Sequence, residues 1–272
     1  MLVWARDKQG LAWTYHVQPD GKGDDRLEGI HIATKRGQWT WVTKTIDVET
    51  EPCDLSLGQR LAAQGGTVTR ASVVGSGDRE QVIVDPSATC DREHCPNEVR
   101  HDARPVASLG SYVFVEESSY TYACGAHGFT TASFLVWDLD KGRAVDLLSG
   151  LPNRDALFAD ATRLLSEEAV DRPVFGDGEP SVTELLPVVE GSSKIGFEAQ
   201  LTVPTCYACG DGLWSSYTRS VRVKTAPPAQ LAGFHQVPSQ VSIFLSHHPG
   251  LTLGGWSEDG RNGNRNGESR SE

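Results

Sequence analysis

No stretch of this chain approaches eighteen consecutive apolar residues, so the sequence offers no transmembrane helix. Its 272 residues contain no His-Glu-x-x-His, no Gly-x-Ser-x-Gly and no Walker loop. The metalloprotease, α/β-hydrolase and P-loop readings therefore lose their usual anchors. Positive charge is scarce as well: 25 Lys and Arg stand against 36 Asp and Glu, for a net charge of −11. That field repels phosphate backbones, which excludes nucleic acid as a default partner, and it draws in a basic protein or peptide. An apolar leader is also missing. "MLVWARDKQG" carries charges at positions 6 to 8, where the h-region of a signal peptide would run, so the expected species is a mature form carrying an added Met.

What is present is the composition of an ordinary globular protein, 38% hydrophobic and 22% charged, long enough to bury a full core with no cofactor. Six cysteines, Cys53, Cys90, Cys95, Cys124, Cys206 and Cys209, all lie near turn residues. The even count and the close pairs 90/95 and 206/209 predict disulfide bonds and an extracytoplasmic site: periplasmic, secreted or surface-attached.

Residues 1–105 read as a β-rich N-terminal region. "LVWARD", "LAWTYHVQ", "GIHIATKRG" and "QWTWVTKTIDVE" are short aromatic and β-branched runs parted by turns at Asp20-Gly21 and Arg36-Gly37, a β-meander. Trp39 and Trp41 share one sheet face; buried they make a core, exposed they make a ligand platform. "GQRLAAQGG" reads as a short helical turn, "EQVIVDP" as a strand, and "SATCDREHCPNEVRHDARP" as a surface loop clipped by Cys90 and Cys95 that separates two halves.

Residues 106–256 read as an α+β unit. "ASLGSYVFVEESSYTYACGAH" and "FTTASFLVWDLDKG" are long strands. "GLPNRDALFADATRLLSEEAV" is a helix, with Asn153 as its cap and Leu157, Phe158, Ala161, Leu164 and Leu165 as its apolar stripe. Such a stripe needs a sheet to cover, and "KIGFEAQLTVPTC", "WSSYTRSVRVKT" and "QVSIFLSH" supply strands for it. The fold class is thus a mostly antiparallel sheet with one main amphipathic helix packed on it, preceded by the meander. Residues 257–272, "SEDGRNGNRNGESRSE", have nothing apolar to bury and read as a disordered tail.

Over residues 107–170 the order of elements resembles the extracytoplasmic domain of RsiV-type anti-sigma factors and PdaC-type peptidoglycan deacetylases. The matching features are Gly125, His127 and Gly128 in "GAHG", then Asp138 and Gly142 in "DLDKG", then Val145 to Leu148, then the helix over 154–168. The resemblance implies a bacterial cell-envelope binding domain, with lysozyme or peptidoglycan as the family themes. The family's cytoplasmic sigma-binding segment and membrane span are not in this sequence, and residues 1–105 match nothing in it.

Two function classes follow. The first is a non-catalytic binding module with His127, Trp39, Trp41 and Trp214 as candidate surface residues, no cofactor, and lysozyme or a cell-wall glycan as partner. The second is a zinc-binding metalloprotein or hydrolase. Cys124-x-x-His127 and Cys206-x-x-Cys209 have the local spacing of two zinc knuckles and would together make a Cys3His tetrahedron. Within the disulfide reading, Cys124 pairs with Cys206 or Cys209 and ties the "GAHG" bend to the far sheet edge, and His127 is then either a bend-holding side chain or an accessible contact. "CYAC" lacks the helix that would make it a redox motif, and "DLDKGRAVD" reads as a hairpin turn, not a calcium loop. Glu116-Glu117 and Glu167-Glu168 read as solvated faces, and His247-His248 as an exposed loop.

Overall fold

The structure is a computed structural model, and it describes residues 2–6, 12–17, 23–24, 31–34, 37–54, 58–86, 96–124, 128–168, 181–190, 194–204, 218–234, 243, 246 and 252–253. The strands are β1 (Leu2–Arg6), β2 (Ala12–Val17), β3 (Gly23–Asp24), β4 (His31–Thr34), β5 (Gly37–Val48), β6 (Cys53–Asp54), β7 (Arg60–Leu61), β8 (Gly65–Gly75) and β9 (Arg79–Val84). They continue with β10 (Glu98–Leu109), β11 (Tyr112–Tyr122), β12 (Phe129–Asp138) and β13 (Arg143–Ala144). After the helix α1 (Arg154–Glu168) come β14 (Ser181–Glu190), β15 (Lys194–Pro204), β16 (Thr218–Thr225) and β17 (Thr252–Leu253). This is the expected α+β class: a curled, mostly antiparallel sheet with one main helix.

Among the described residues twelve strands form one sheet, with β10 at its hub. On one side β10 pairs along its length with β11, which pairs in turn with β12. On the other side β10 divides its edge. Its first residues run parallel to β8 (Glu98↔Gly65, Val99↔Gly66, Arg100↔Thr67), and beyond the irregularity at Pro105/Ala107 it pairs with β1 through Ala107↔Val3. A proline has no N–H to give a ladder, and an extra residue bends its strand, so this is where one neighbour can leave and another begin. β8 departs with β5 and β9 as an antiparallel layer. Strands from both sides of the predicted 105/106 boundary therefore share a sheet, and the polar run "NEVRHDARP" is a strand and its turn-like lead-in, not a loop.

Alternation on β11 shows how the layers stack. Val113 and Val115 face one core with Ile32, Trp39, Trp41, Ala71, Val73, Ile83, Val84 and Ala103. Phe114, between them, faces the other core with Leu109, Val136, Leu157, Ala161, Leu186 and Phe197. A strand buried on both faces reads as a continuous apolar run, here "VFV". Across the second core lies the three-stranded sheet β14–β15–β16, against whose last two strands α1 packs. Leu157, Ala161 and Leu165 are buried there as the helical spacing requires. Asn153 opens the helix through its carbonyl, which accepts from Leu157 N, while its side-chain oxygen accepts the Thr225 hydroxyl at 2.9 Å and ties the helix start to β16.

Three sequence readings are corrected. "GQRLAAQGG" contains the short strand β7 paired with β6, not a helical turn. Ile243 and Ser246, the described residues of "QVSIFLSH", are helical. β14 was missed, because Pro187 interrupts its pattern; it lies at one end of the described order of its sheet, where a missing N–H is tolerated.

The parallel junction of β8 and β10 is fastened twice. Asn97, fully buried, donates from its side-chain amide to the Glu51 and Ala62 carbonyls at 3.0 and 2.9 Å, while its own N–H bonds Tyr122 and its carbonyl accepts from Gln64. Beside it, Cys53 and Cys124 form a disulfide across 71 residues of sequence, with Cα atoms 5.3 Å apart. Gly66 admits no side chain, since a Cβ there would sit 2.7 Å from the Val99 carbonyl oxygen.

Two outcomes are expected. Reducing the disulfide, or the Cys53→Ser change, should lower unfolding free energy by about 4 kcal/mol on loop-entropy grounds, read from denaturant midpoints with and without reductant. Gly66→Ala should cost about 1–3 kcal/mol by forcing the junction apart, whereas an equal substitution at exposed Gly77, judged against its own positive-φ penalty, leaves the junction intact by amide exchange of β10.

Candidate functional site

The residues singled out from sequence do not converge. Trp39 and Trp41 are only 4% and 8% exposed and belong to a core, so they are not a surface platform. Arg79 lies over the Trp39 ring at 5.5 Å, closing it further. His127, Trp214, Cys90, Cys95, Cys206, Cys209, His247 and His248 lie outside the described residues. Cys124 is bonded to Cys53, which replaces the expected pairing with Cys206 or Cys209. A sulfur in a disulfide is not a thiolate ligand, so the Cys3His set that needs Cys124 does not form here. Among the described residues no group of three His, Cys, Asp or Glu side chains is placed to hold a metal.

The "CGAHG" bend has a physical account at its two described ends. Cys124 adopts φ +63°, a left-handed turn uncommon for a side-chain-bearing residue, and the disulfide holds it there. Gly128 lies directly under Tyr120; a Cβ on it would overlap that ring and its hydroxyl. The "DLDKG" turn is equally specific. Asp138 Oδ1 accepts the backbone N–H of Asp140 and Lys141, its Oδ2 meets Lys141 Nζ at 2.8 Å, and Gly142 closes the turn at φ +64°. Trp137 Nε1 donates to Gln81 Oε1 at 2.8 Å, and Gln81 Nε2 donates to the Leu139 carbonyl, binding the turn to β9.

A cavity of about 360 Å³, lined by both polar and apolar side chains, lies at the edge of the first core. Its floor comes from alternate residues of three strands. Below Val113 and Val115, the same face of β11 presents Glu117 and Ser119; register places Ala103 and Ser133 beside Glu117, and His101 and Thr131 beside Ser119. His101 Nε2 lies 3.2 Å from Glu117 Oε2, a diagonal cross-strand pair, and Ser119 Oγ lies 3.2 Å from Thr131 Oγ1. Ile83, Val84, Asp85 and Pro86, at the end of β9, form the opposite wall. The His101 side chain is 8% exposed, and its Nδ1 has no hydrogen-bond partner among the described residues.

Sequence reading missed this constellation and treated Glu116-Glu117 as one solvated face. The two point to opposite sides of β11. Glu116, 8% exposed, takes both carboxylate contacts of Arg104 at 3.3 Å beneath the helix-side core, and Glu117 serves the cavity. The available signal was the same-face spacing Glu117-x-Ser119 and Thr131-x-Ser133, visible only once the register is known. Glu167, in contrast, is solvated as expected, paired with Arg163 on the exposed side of α1.

Chemically the described lining mixes carboxylates, hydroxyls, an imidazole and apolar side chains. The carboxylates accept only, and the hydroxyls do either. The hydroxyl opposite His101, that of Ser119, bonds Thr131.

No protein-family model matches the chain, and no curated protein matches it. Solved structures similar to it include a DUF3298 family protein from Pseudomonas aeruginosa PAO1, with 15% identity over 73% of this chain and 95% of that one and a TM-score of 0.34. A member of the same family from Bacteroides fragilis NCTC 9343 has 14% identity over 76% and 98%, with a TM-score of 0.39.

Titration of the Asp138 turn is open to measurement. Burial pushes this carboxyl up, but hydrogen bonds from Lys141, Ser111 and two backbone N–H groups outweigh it, and the folded value lies below the ordinary aspartate range. A depressed folded value stabilises the native state above the unfolded value and stops doing so as pH falls through the folded one. Asp138→Asn should therefore flatten the acid limb of the stability curve below about pH 4, and Asp138→Ala should cost about 2–3 kcal/mol at neutral pH by leaving buried N–H groups unpaired. Urea midpoints measured from pH 2 to 7 check both.

Proposed function

We propose that this chain is a non-catalytic binding module working outside the cytoplasm, with a strongly basic protein such as lysozyme as its partner. The observation that carries the reading is the Cys53–Cys124 bond. It joins distant segments at the structural hub of the sheet, and such a bond is made and kept in an oxidising compartment. The net charge of −11 supports the choice of partner, since an acidic surface steers a cationic protein into encounter. Among the described residues no helix is long and apolar enough to cross a membrane, and the candidate cavity lies on described, partly exposed strands. A cell-wall glycan is the second reading, favoured by the hydroxyl side chains Ser119, Thr131 and Ser133 in that cavity.

Titration calorimetry of the oxidised protein against lysozyme and against soluble peptidoglycan fragments tests the proposal. Lysozyme should bind, with affinity falling about tenfold or more as ionic strength rises from about 0.05 to about 0.3 M. Absence of heat with both ligands would remove the reading, and salt-independent binding of the fragments alone would transfer it to the glycan.

A further inference from the structure

We infer that the Cys53–Cys124 bond is a redox-operated latch: a dithiol that attacks at Cys124 opens it, and the β6–β7 ribbon swings free from a protein that stays folded. This control is independent of which partner the module binds. Its first support is how little else holds the ribbon. Residues 51–54 and 58–64 are its described part, and among them Cys53, 1% exposed, is the only buried residue; Leu61 is half-buried and the rest are exposed. Neither hydrophobic core takes a member from these described residues. β6 and β7 pair with each other through Cys53↔Leu61 and Asp54↔Arg60 as a separate two-stranded sheet, and such a pair is marginal on its own. The base of the ribbon is pinned without sulfur. Asn97 donates to the carbonyls of Glu51 and Ala62, one on each arm, Glu51 N donates to the Pro96 carbonyl at 3.1 Å, and Gly65 N donates to Thr50 Oγ1 at 2.8 Å. Breaking the disulfide therefore leaves a ribbon hinged on an intact base.

The two halves of the bond differ, and the difference sets the direction of the chemistry. Cys124 is exposed at the bend after β11 while Cys53 is buried, so an incoming thiolate meets Cys124 first. Cys124 also sits at φ +63°, a conformation that a side-chain-bearing residue adopts under constraint, and release of the bond lets the bend leave it. Exposed or constrained disulfides are the labile members of their class. Each step balances. One thiolate of the external dithiol bonds to Cys124 Sγ, the bond between the two protein sulfurs breaks, and its electron pair leaves on Cys53 Sγ, which takes up a proton. The second thiolate of the dithiol then bonds to the first sulfur of the same dithiol and expels Cys124 Sγ, which is protonated in turn. The protein has gained two electrons and two protons, and the dithiol has become a disulfide. The reverse steps close the latch.

The test starts from the intact, oxidised protein. A brief pulse of 2-mercaptoethanol, a neutral monothiol that the net charge of −11 does not repel, is quenched with acid, freed thiols are alkylated in denaturant, and peptide mass spectrometry places the adduct. It should lie on Cys124 in preference to Cys53 by about tenfold or more. The double variant Cys53→Ser/Cys124→Ser removes this bond alone. Compared with the oxidised protein, its amide exchange should rise about tenfold or more within residues 51–64 and 122–124 and stay the same in β5, β15 and α1. Dithiothreitol should raise exchange of the same ribbon in the unmutated protein, and reoxidation should lower it again. An adduct on Cys53, or on both cysteines equally, would overturn the inference. So would loss of protection throughout the variant, unchanged exchange of the ribbon, or a ribbon that reoxidation does not restore. Lysozyme binding enters none of these readouts, so failure of the latch and failure of the partner assignment are told apart.

Discussion

The parallel contact between the start of β8 and the start of β10 is the constraint on which the rest depends. Three residue pairs make it, and parallel strands cannot be closed by a tight turn, so the connection must be held by something other than a hairpin. Asn97 and the Cys53–Cys124 bond do this from two sides. The amide gathers carbonyls from Glu51 and Ala62, and the sulfurs draw the bend after β11 onto the short β6. Gly66 is the steric counterpart, the position where two backbones approach too closely for a side chain. Once this joint is fixed, β8 and β9 are aimed over one face of β10–β12, and the cavity lies between the end of β9 and that face.

Much of the fold was legible because local pattern and global position agree. The helix stripe of Leu157, Ala161 and Leu165 is buried as its spacing demands, and the long strands β5, β11, β12 and β15 follow aromatic and β-branched runs. Reading failed where local chemistry and final environment disagree. "NEVRHDARP" is polar because β10 carries Arg104 to a buried glutamate and His101 to a cavity, so its side chains are satisfied by partners far away in sequence. β14 hides behind Pro187, whose cost disappears at the end of a sheet.

The site was less legible than the fold for a related reason. His101, Glu117, Ser119, Thr131 and Ser133 form no linear motif, and each strand contributes one or two polar residues to a shared face. Their neighbourhood is a product of register, and register across β10, β11 and β12 is a tertiary fact. The cysteine pairing has the same character. Nothing local distinguishes Cys53 as the mate of Cys124, because the closeness of the two is created by the β8–β10 joint.

Glu116 and Glu117, adjacent in the chain, anchor opposite sides of a single ribbon. A one-residue slip of β11 would exchange them, dropping an Arg104-paired carboxylate into the cavity and leaving a histidine-paired one against the helix-side hydrocarbon. Phe114 and Arg104 thus act as a latch on a cavity they never touch, and the shape of that cavity is proofread from behind.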